Sequence, residues 1–342
     1  MSRPVEPRAV PAGWPALVLT AGRGDRLRPL SLLRAKPALP VAGVPLAGRI
    51  LRWLAASGIR DALLNLHHLP ASVTAAVGDG SAHGLRVRYS WEREILGSAG
   101  GPAHALPLLA SDRFFIVNGD TLTDVDLAGL AEAHLASGAR VTMSLIANPD
   151  PGHFGGVSVA PDGAITGFTP RGPANPGLHF IGAQAVNADV FAGLDQNAPA
   201  ETVMGIYREM MRAQPGSVRA FVSDAAFQDI GTAYDYRETC LRVAGQEGQD
   251  DGLAGSRVHI APDARVIRSI LWDDVRVGSG ARIENCVIAD GVTVPEGTRF
   301  TGLVIRRGDT TEPDEGETRA GELLVSDVAA RRRPSPGVVT RL

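Results

Sequence analysis

"PALVLTAGRGDRLRPL" occupies residues 15–30. An apolar run ends in small residues, and two glycines, Gly22 and Gly24, follow with Arg26 and Arg28 close behind. Such a run reads as a buried strand feeding a tight turn. Gly22 and Gly24 let backbone N–H groups approach an anion closely. Arg26 and Arg28 add planar forks for phosphate oxygens. Lys36 follows in "RAKPALPVAGVPL", where prolines restrict the chain. Together these residues predict a basic clamp for a polyphosphate. The spacing is neither the dinucleotide fingerprint, since Leu27 stands where its third glycine would be, nor a P-loop, since no Gly-Lys-Ser/Thr follows. Arg23-Gly24-Asp25 also spells an adhesion tripeptide, but an internal loop at a strand end is a poor place to present one.

The rest of the first two-thirds supplies the frame. "PLAGRILRWLAASGI" (45–59) repeats apolar residues at helical spacing, with Leu46, Ile50, Leu51 and Leu54 on one face and Gly58 as a stop. "DALLNLHH", "LRVRYSWE", "DRFFIVNGD" and "ARVTMSLIA" read as strands, and "SVTAAVGDG" and "LAGLAEAHLASG" as helices. Strands alternating with helices predict a Rossmann-like, doubly wound, mostly parallel sheet with helices on both faces. Ligands of such sheets sit at the carboxyl ends of the strands, where both "TAGRGDR" and "NGDTLTD" fall.

Composition narrows the function. The 342 residues suffice for two domains. A net charge of −3 lacks the basic excess of a nucleic-acid binder. No apolar stretch approaches the ~20 residues of a membrane helix, and "MSRPVEPRAVPAGWP" has no signal-peptide core. Two unrelated cysteines, Cys240 and Cys286, form neither a metal spacing nor a disulfide framework. The expectation is a cytoplasmic protein with reduced thiols, no nucleic-acid partner and no membrane.

"LVLTAGRGDRLRPLSLLRAKPALPVAGVPL" (17–46) resembles the signature of the sugar-1-phosphate nucleotidyltransferases, the NDP-sugar pyrophosphorylases, whose fold is GT-A-like. It departs at Asp25, where the family commonly has Thr or Glu, and at Ala35, where proline usually precedes the lysine. The resemblance extends over roughly residues 15–240. "ILGSAGGPAHAL" is similar to the family's Leu-Gly-Thr/Ser-Ala-Gly segment. The resemblance implies nucleotide contacts from Thr20, Ala21, Gly22 and Gly24, and from Gly97, Ser98, Ala99 and Gly100. "VNGDTLTD" and "FQDIGTAYDY" resemble the segments whose aspartates bind magnesium, which implies Asp120 and Asp229 as ligands of Mg²⁺. Arg26, Lys36, Asp120 and Asp229 are then the catalytic set. "FGGVSVAPDGAITGFTPRG" and "LHFIGAQAV" resemble the sugar half and imply Gly156, Arg171, His179 and Gly182 as sugar-phosphate contacts, with Arg171 in place of a usual lysine. His67 and His68, neighbours on a strand, point to opposite faces and read as structural or base-side groups.

After a polar stretch, "DARVIRSILWDDVRVGSGARIENCVIADGVTVPEGTRFTGLVI" carries Val266, Ile270, Val277, Ile283, Val287, Val292 and Val294 at short spacing, with glycines at 278, 280, 291 and 297. This is the pattern of hexapeptide-type β-helix coils, about three of them. The expected organisation is a disordered lead-in (1–14), a nucleotidyltransferase domain (15–243), a linker (244–256), a short left-handed β-helix (257–310) and a polar tail (311–342), in which "GELLVSD" could add a strand. In relatives the β-helix serves assembly or regulation, so a homo-oligomer formed through it is expected. The implied partners are an NTP, GTP favoured, and a sugar 1-phosphate, with mannose-1-phosphate guanylyltransferase as the leading reading. UTP- or dTTP-dependent transfer, for instance to N-acetylmuramate 1-phosphate, stays open, as does a catalytically idle regulatory paralogue.

Overall fold

The strand Ala16–Leu19 sits at the centre of a nine-stranded sheet, buried apart from its last residue. In this computed structural model, residues 10–172, 177–249, 253–308 and 312–329 are described. Ala16–Leu19 runs parallel to Asp61–Leu66 on one side and to Arg113–Asn118 on the other. Arg86–Trp91 extends the parallel half beyond Asp61–Leu66. Continuous apolar sequence in these strands reflects burial on both faces.

The other half differs from the all-parallel pattern. The long strand Leu178–Asn187 lies antiparallel to Arg113–Asn118 and to Val141–Ala147. The hairpin strands Gly156–Val159 and Ile165–Thr169 continue that side, and Val218–Val222 adds a parallel neighbour to Val141–Ala147. Leu178–Asn187 can serve both sides because its register shifts between Phe180 and Gln184, a bulge that contains Gly182 at φ 83°. The fold is therefore a mixed sheet, parallel where the glycine loop enters and antiparallel where the sugar half was expected.

Helices fall where the apolar spacing put them. Leu46–Ala56 ends as foreseen at Gly58, whose φ is 96°. Gly58 N–H donates to Ala55 O and Ile59 N–H to Leu54 O, the paired bonds that satisfy a helix terminus. Leu127–Ser137 is capped by Asp126, whose carboxylate accepts from Ala128 and Gly129 N–H. Leu17, Ile116, Met143, Leu145, Phe191 and Tyr207 belong to one buried cluster with these elements. Its polar members are paired: the Tyr207 hydroxyl donates to Gln184 Oε1 at 2.9 Å.

Of the expected lead-in, residues 1–9 lie outside the described residues. Trp14 packs against Phe115, with ring centroids 5.3 Å apart, and meets His134 edge-on. His134 is buried, its Nε2 3.1 Å from Asn187 Oδ1 and its Nδ1 2.9 Å from Thr142 Oγ1. Asn187 Oδ1 can only accept, so Nε2 carries the proton and Nδ1 accepts from the threonine hydroxyl.

The chain divides into two compact units. One comprises Ala47–Gln228 with the stretch up to Gly22; the other comprises Arg23–Leu46 together with the chain from Asp229 onward. The glycine-loop segment thus groups with the C-terminal part of the molecule.

In the second unit, short parallel strands stack in three columns. Leu253, Ile270, Val287 and Val304 pair in succession, each seventeen residues after the last. His259–Ile260, Arg276–Val277 and Thr293–Val294 form the second column, and Arg265–Ile267, Arg282–Glu284 and Arg299–Thr301 the third. Val277, Ile283, Ile288, Val292 and Val294 fill the interior. The corners repeat too: Arg257, Asp274 and Gly291 all have positive φ, as do Arg268, Asn285 and Gly302. A left-handed non-glycine residue costs about 1–2 kcal/mol, yet of these corners only Gly291 and Gly302 are glycine, so glycine marks only some corners in the sequence.

The expected linker carries secondary structure at its two ends. The helix Ala233–Gln246 runs into it, and Leu253–Ala254 already begins the first column; residues 250–252 lie outside the described residues. The expected tail also holds strands. Leu323–Asp327 pairs antiparallel with Leu303–Arg307 and with Thr318–Ala320. Arg306 is buried and bonded through Nε and Nη2 to both oxygens of buried Glu317. Residues 309–311 and 330–342 lie outside the described residues.

Burial holds His134 below the ordinary imidazole range, with the Asn187 bond opposing in part. Its proton is therefore bound more tightly by the unfolded chain, so its contribution to stability is present above about pH 6.5 and is lost as pH falls. Denaturant melts should show a lower midpoint at pH 5.5 than at pH 7.5. In His134→Gln the part of that slope due to this imidazole should disappear; an unchanged slope would count against a buried neutral His134.

Candidate active site

Three strand ends of the parallel half are joined by a buried polar network. Thr20 N–H donates to Asn65 Oδ1 at 2.6 Å, and the Thr20 hydroxyl donates to Asn65 O. Asn65 Nδ2 donates to Glu92 Oε1 at 2.7 Å, and Leu96 N–H donates to Glu92 Oε2 at 3.0 Å. Thr20, Asn65 and Glu92 are all at most 3 % exposed. A carboxylate so deeply buried persists only when its oxygens are bonded, and here each accepts an N–H. The network fixes the end of Ala16–Leu19 relative to the start of the helix Gly97–Leu109.

Asn65 and Glu92 were not singled out from sequence. Their signal was present: each is a polar residue at the end of an apolar or alternating strand. His67 joins the same layer, its Nδ1 donating to Glu92 O at 3.1 Å.

The Gly97–Gly100 segment turns its polar groups inward. Ala99 N–H donates to Ala200 O at 2.8 Å, and Gly100 N–H shares that carbonyl. The Ser98 hydroxyl donates to Glu201 Oε2 at 2.6 Å and accepts from Thr202 N–H. These donors are engaged within the fold, so what Ser98, Ala99 and Gly100 can give a nucleotide is surface shape.

Asp120 lies just past Arg113–Asn118, and the Thr121 hydroxyl donates to its Oδ1 at 3.2 Å. Gly119 brings it beside the glycine-loop strand. Gly119 N–H donates to Leu19 O at 3.0 Å, and a Cβ there would stand 2.4 Å from that carbonyl. Thr20 and the buried Ala21 therefore share one corner with Asp120, while Gly22 is exposed.

On the antiparallel side, His179 is buried between Phe154 and Phe227, with ring centroids 4.6 and 4.9 Å away. Its Nδ1 donates to Gly155 O at 3.1 Å, so Nε2 is the acceptor of the neutral ring. Burial pushes its pKa down against that bond. Gly156 lies on the adjacent strand and pairs with Thr169. Gly182 sits in the bulge against the Asn118 side chain. Arg171 is exposed beyond Ile165–Thr169.

The remaining site residues belong to the second unit. Gly24, at φ 67°, opens a single 3₁₀ turn and accepts the Ser31 hydroxyl at 2.8 Å. Asp25 pairs with Arg28 at 3.2 Å, and Arg28 also faces Asp314 at 3.7 Å. The carboxylate that departs from the family pattern is thus countered locally, and Arg28, expected beside Arg26 as a phosphate fork, is turned to carboxylates. Arg26 is exposed. Lys36 is largely buried within a second 3₁₀ turn. Ala35 has φ −55° and ψ 144°, and Arg34 before it is extended, which is backbone that proline also adopts.

Asp229 is not the cap of the helix Ala233–Gln246. Thr232 caps it, accepting Asp235 N–H at 3.2 Å and donating to Asp235 Oδ2. Gly231 explains how Arg26 and Asp229 come together. A Cβ there would stand 2.8 Å from Asp229 Oδ2 and 3.2 Å from both Arg26 Nη1 and Asp235 Oδ2. One cation and two carboxylates therefore converge on a position that only glycine leaves open.

A parallel strand ending in a glycine turn, an aspartate at the neighbouring strand end and a stack of hexapeptide coils define a nucleotide-handling α/β enzyme with a left-handed β-helix. The chain belongs to the nucleotidyl transferase family, whose pattern matches residues 15–245; the GlmU-like C-terminal hexapeptide pattern matches residues 245–303. It is similar to the mannose-1-phosphate guanylyltransferase of Mycobacterium tuberculosis, at 30% identity over 292 residues covering 78% of this chain and 81% of that one. It is also similar to the N-acetylmuramate alpha-1-phosphate uridylyltransferase of Neisseria meningitidis, at 33% identity over 226 residues covering 65% and 95%. The crystal structure of HddC from Yersinia pseudotuberculosis, complexed with GMP-PN, shares the fold with a TM-score of 0.59 at 22% identity, covering 67% of this chain and 99% of that one. The expected family and fold class hold. No helix among the described residues is long and apolar enough to cross a membrane.

Glu92→Gln tests the polar network. Both Glu92 oxygens accept N–H groups, so either orientation of an amide sets its NH₂ against a donor. A lost buried bond of this kind costs about 1–3 kcal/mol. Chemical denaturation should show a loss of that size, and stability equal to wild type would mean the network does not hold the strand ends.

Proposed function

We propose that the chain transfers a nucleoside monophosphate from an NTP to a sugar 1-phosphate, releasing pyrophosphate, with GTP and mannose 1-phosphate as the favoured pair. The observation that carries the reading is the convergence of Arg26 and Asp229 on Gly231, in the same unit as Lys36. A cation and a hard oxygen ligand side by side suit a metal-bound triphosphate. The guanylyltransferase relative supports the nucleotide: its match is longer than residues 15–245 and so reaches into the coils. The uridylyltransferase relative, at slightly higher identity over a shorter span, keeps UTP as the second reading.

A phosphate oxygen of the sugar 1-phosphate attacks the α-phosphorus in line, and the bond to the bridging oxygen breaks as pyrophosphate departs. Arg26 and Lys36 neutralise charge on the triphosphate and on the leaving group. Such transfers depend on placement and charge stabilisation, and no nucleophilic side chain is required. Thr20, Ala21, Gly22 and Gly24 shape the phosphate turn, and Gly97–Gly100 the floor for the base. Gly156, Arg171, His179 and Gly182 face the sugar phosphate, His179 offering its Nε2 lone pair to a hydroxyl.

Asp120 and Asp229 are the residues that would hold a metal, as the family resemblance implies. The donors fit Mg²⁺ in kind, since both are hard carboxylates. Mg²⁺ typically takes one or two carboxylates and completes its shell with phosphates and water. When bound, it supplies charge neutralisation at the α-phosphate.

Pyrophosphate release measured over a matrix of NTPs and sugar 1-phosphates tests the reading. Turnover should be highest with GTP and mannose 1-phosphate and absent in excess chelator; full turnover with chelator would remove the metal from the account. Arg26→Ala should lower kcat by about 10²–10³ while unfolding free energy stays within about 0.5 kcal/mol. Near-normal turnover in a folded Arg26→Ala would sink the phosphate-clamp assignment. Release from no combination would mean a sugar-nucleotide binder without activity.

A further inference from the structure

Lys36 is flanked on both sides by anchors to the coils of the β-helix. Two residues before it, Arg34 donates from Nε to Asp290 Oδ2 at 2.9 Å and from Nη2 to Asp290 Oδ1 and Asp273 Oδ2, each at 2.7 Å. The same guanidinium lies 5.1 Å from the ring centroid of buried Trp272. Asp273 and Asp290 hold equivalent places in successive coils, and Asp273 N–H donates to Asp290 Oδ1 at 3.0 Å. Four residues after Lys36, Pro40 O accepts the Tyr236 hydroxyl at 2.6 Å, and that hydroxyl accepts Trp272 Nε1–H at 3.0 Å.

An exposed ion pair is weak because two mobile side chains must be ordered in water. This one differs in kind. The guanidinium is fixed in its plane by two carboxylates and an aromatic face, which a fork can do and a point charge cannot. The carboxylates are themselves set by the coil backbone. Burial works against ionisation of Asp273, yet Arg34 and Ser256 N–H together draw its pKa below the usual range; at Asp290 burial prevails and the pKa is raised.

We infer that Arg34 is a positioning residue for nucleotidyl transfer, through which the β-helix holds the Lys36 loop in its working geometry. The inference rests on the proposed reaction and gives the coils a part in it that does not depend on assembly. Arg34 touches no substrate; it acts through the placement of Lys36.

The test uses the full chain, GTP, mannose 1-phosphate and Mg²⁺, with thermal unfolding recorded for each variant and rates taken well below its midpoint. Displacement of a catalytic group by about 1 Å can cost ~10² in rate, so Arg34→Gln should lower kcat by about 10–100-fold. The KM for mannose 1-phosphate should change much less than kcat. Arg34→Lys, which keeps the charge without the fork, should recover part of the loss. Arg257→Ala breaks an exposed two-bond pair with Asp274 on the same stack and should leave kcat unchanged. A folded Arg34→Gln with wild-type kcat overturns the inference, as does an equal loss in Arg257→Ala. If Arg34→Gln does not fold, Asp273→Asn keeps Asp290 for Arg34 and should show a smaller loss in kcat of the same selectivity; wild-type kcat there overturns it. If the wild-type chain itself releases no pyrophosphate, the proposed reaction fails separately. Calorimetric GTP binding then decides: weaker binding by Arg34→Gln supports the anchor, and equal binding overturns it.

Discussion

A carboxylate shut away from water, Glu92, is the constraint on which the nucleotide end of the sheet depends. Burying its oxygens is tolerated only because each accepts a hydrogen bond. The two N–H groups that bond it come from the end of one strand and the start of a helix. Asn65 passes the constraint on to Thr20, the first residue of the turn after the central strand. Polar groups buried with full satisfaction give the loop after the strand a rigid root. Gly119 draws the aspartate-bearing turn to the same root through the Leu19 carbonyl.

From that root the chain passes into the second unit. Arg23–Leu46 groups with the coils and with the helix Ala233–Gln246, so the sequence signature is shared between two bodies. Trp272 is a buried side chain that touches both the loop and the helix of this unit. It presents its indole N–H to Tyr236 and its face to Arg34, meeting the need of a large amphipathic ring for one polar partner.

Much of this was legible beforehand. Gly58 as a helix stop, the strand-end position of Asp120 and the coil interior at Val277, Ile283, Val292 and Val294 all follow from periodicity and turn chemistry. Other features were hidden for physical reasons. The antiparallel half depends on a bulge near Gly182, and one glycine in an apolar strand does not announce a change of direction. Corners at Arg257, Arg268, Asp274 and Asn285 take left-handed backbone without glycine, so their repeat is invisible in composition. In the tail, "GELLVSD" was open to a strand reading and Leu323–Asp327 is one, but Thr318–Ala320 was hidden because "GETRAG" is polar. What orders it, the buried Arg306–Glu317 pair, joins residues eleven apart that carry no local pattern. In the candidate site, the residues proposed for metal and phosphate were picked out by their motifs, whereas Asn65, Glu92 and Arg34 bond to partners far away in sequence.

The loop also shows how a cluster of like charges is made usable. Arg23, Arg26, Arg28, Arg34 and Lys36 lie within fourteen residues, and five cations in so short a segment repel one another. Carboxylates of the same unit answer two of them: Arg28 faces Asp25 and Asp314, and Arg34 faces Asp273 and Asp290. The sequence alone presents one continuous basic clamp; the structure sets some of its charges apart as anchors. Arg34 and Arg28 are held by fixed carboxylates, and their field is cancelled close by. Arg26 stands at the surface beside Asp229. Placing the anchors on coils rather than on the sheet has a further effect. A stack of short parallel strands repeats its geometry every seventeen residues, so Asp273 and Asp290 stand in register by construction and meet one guanidinium together.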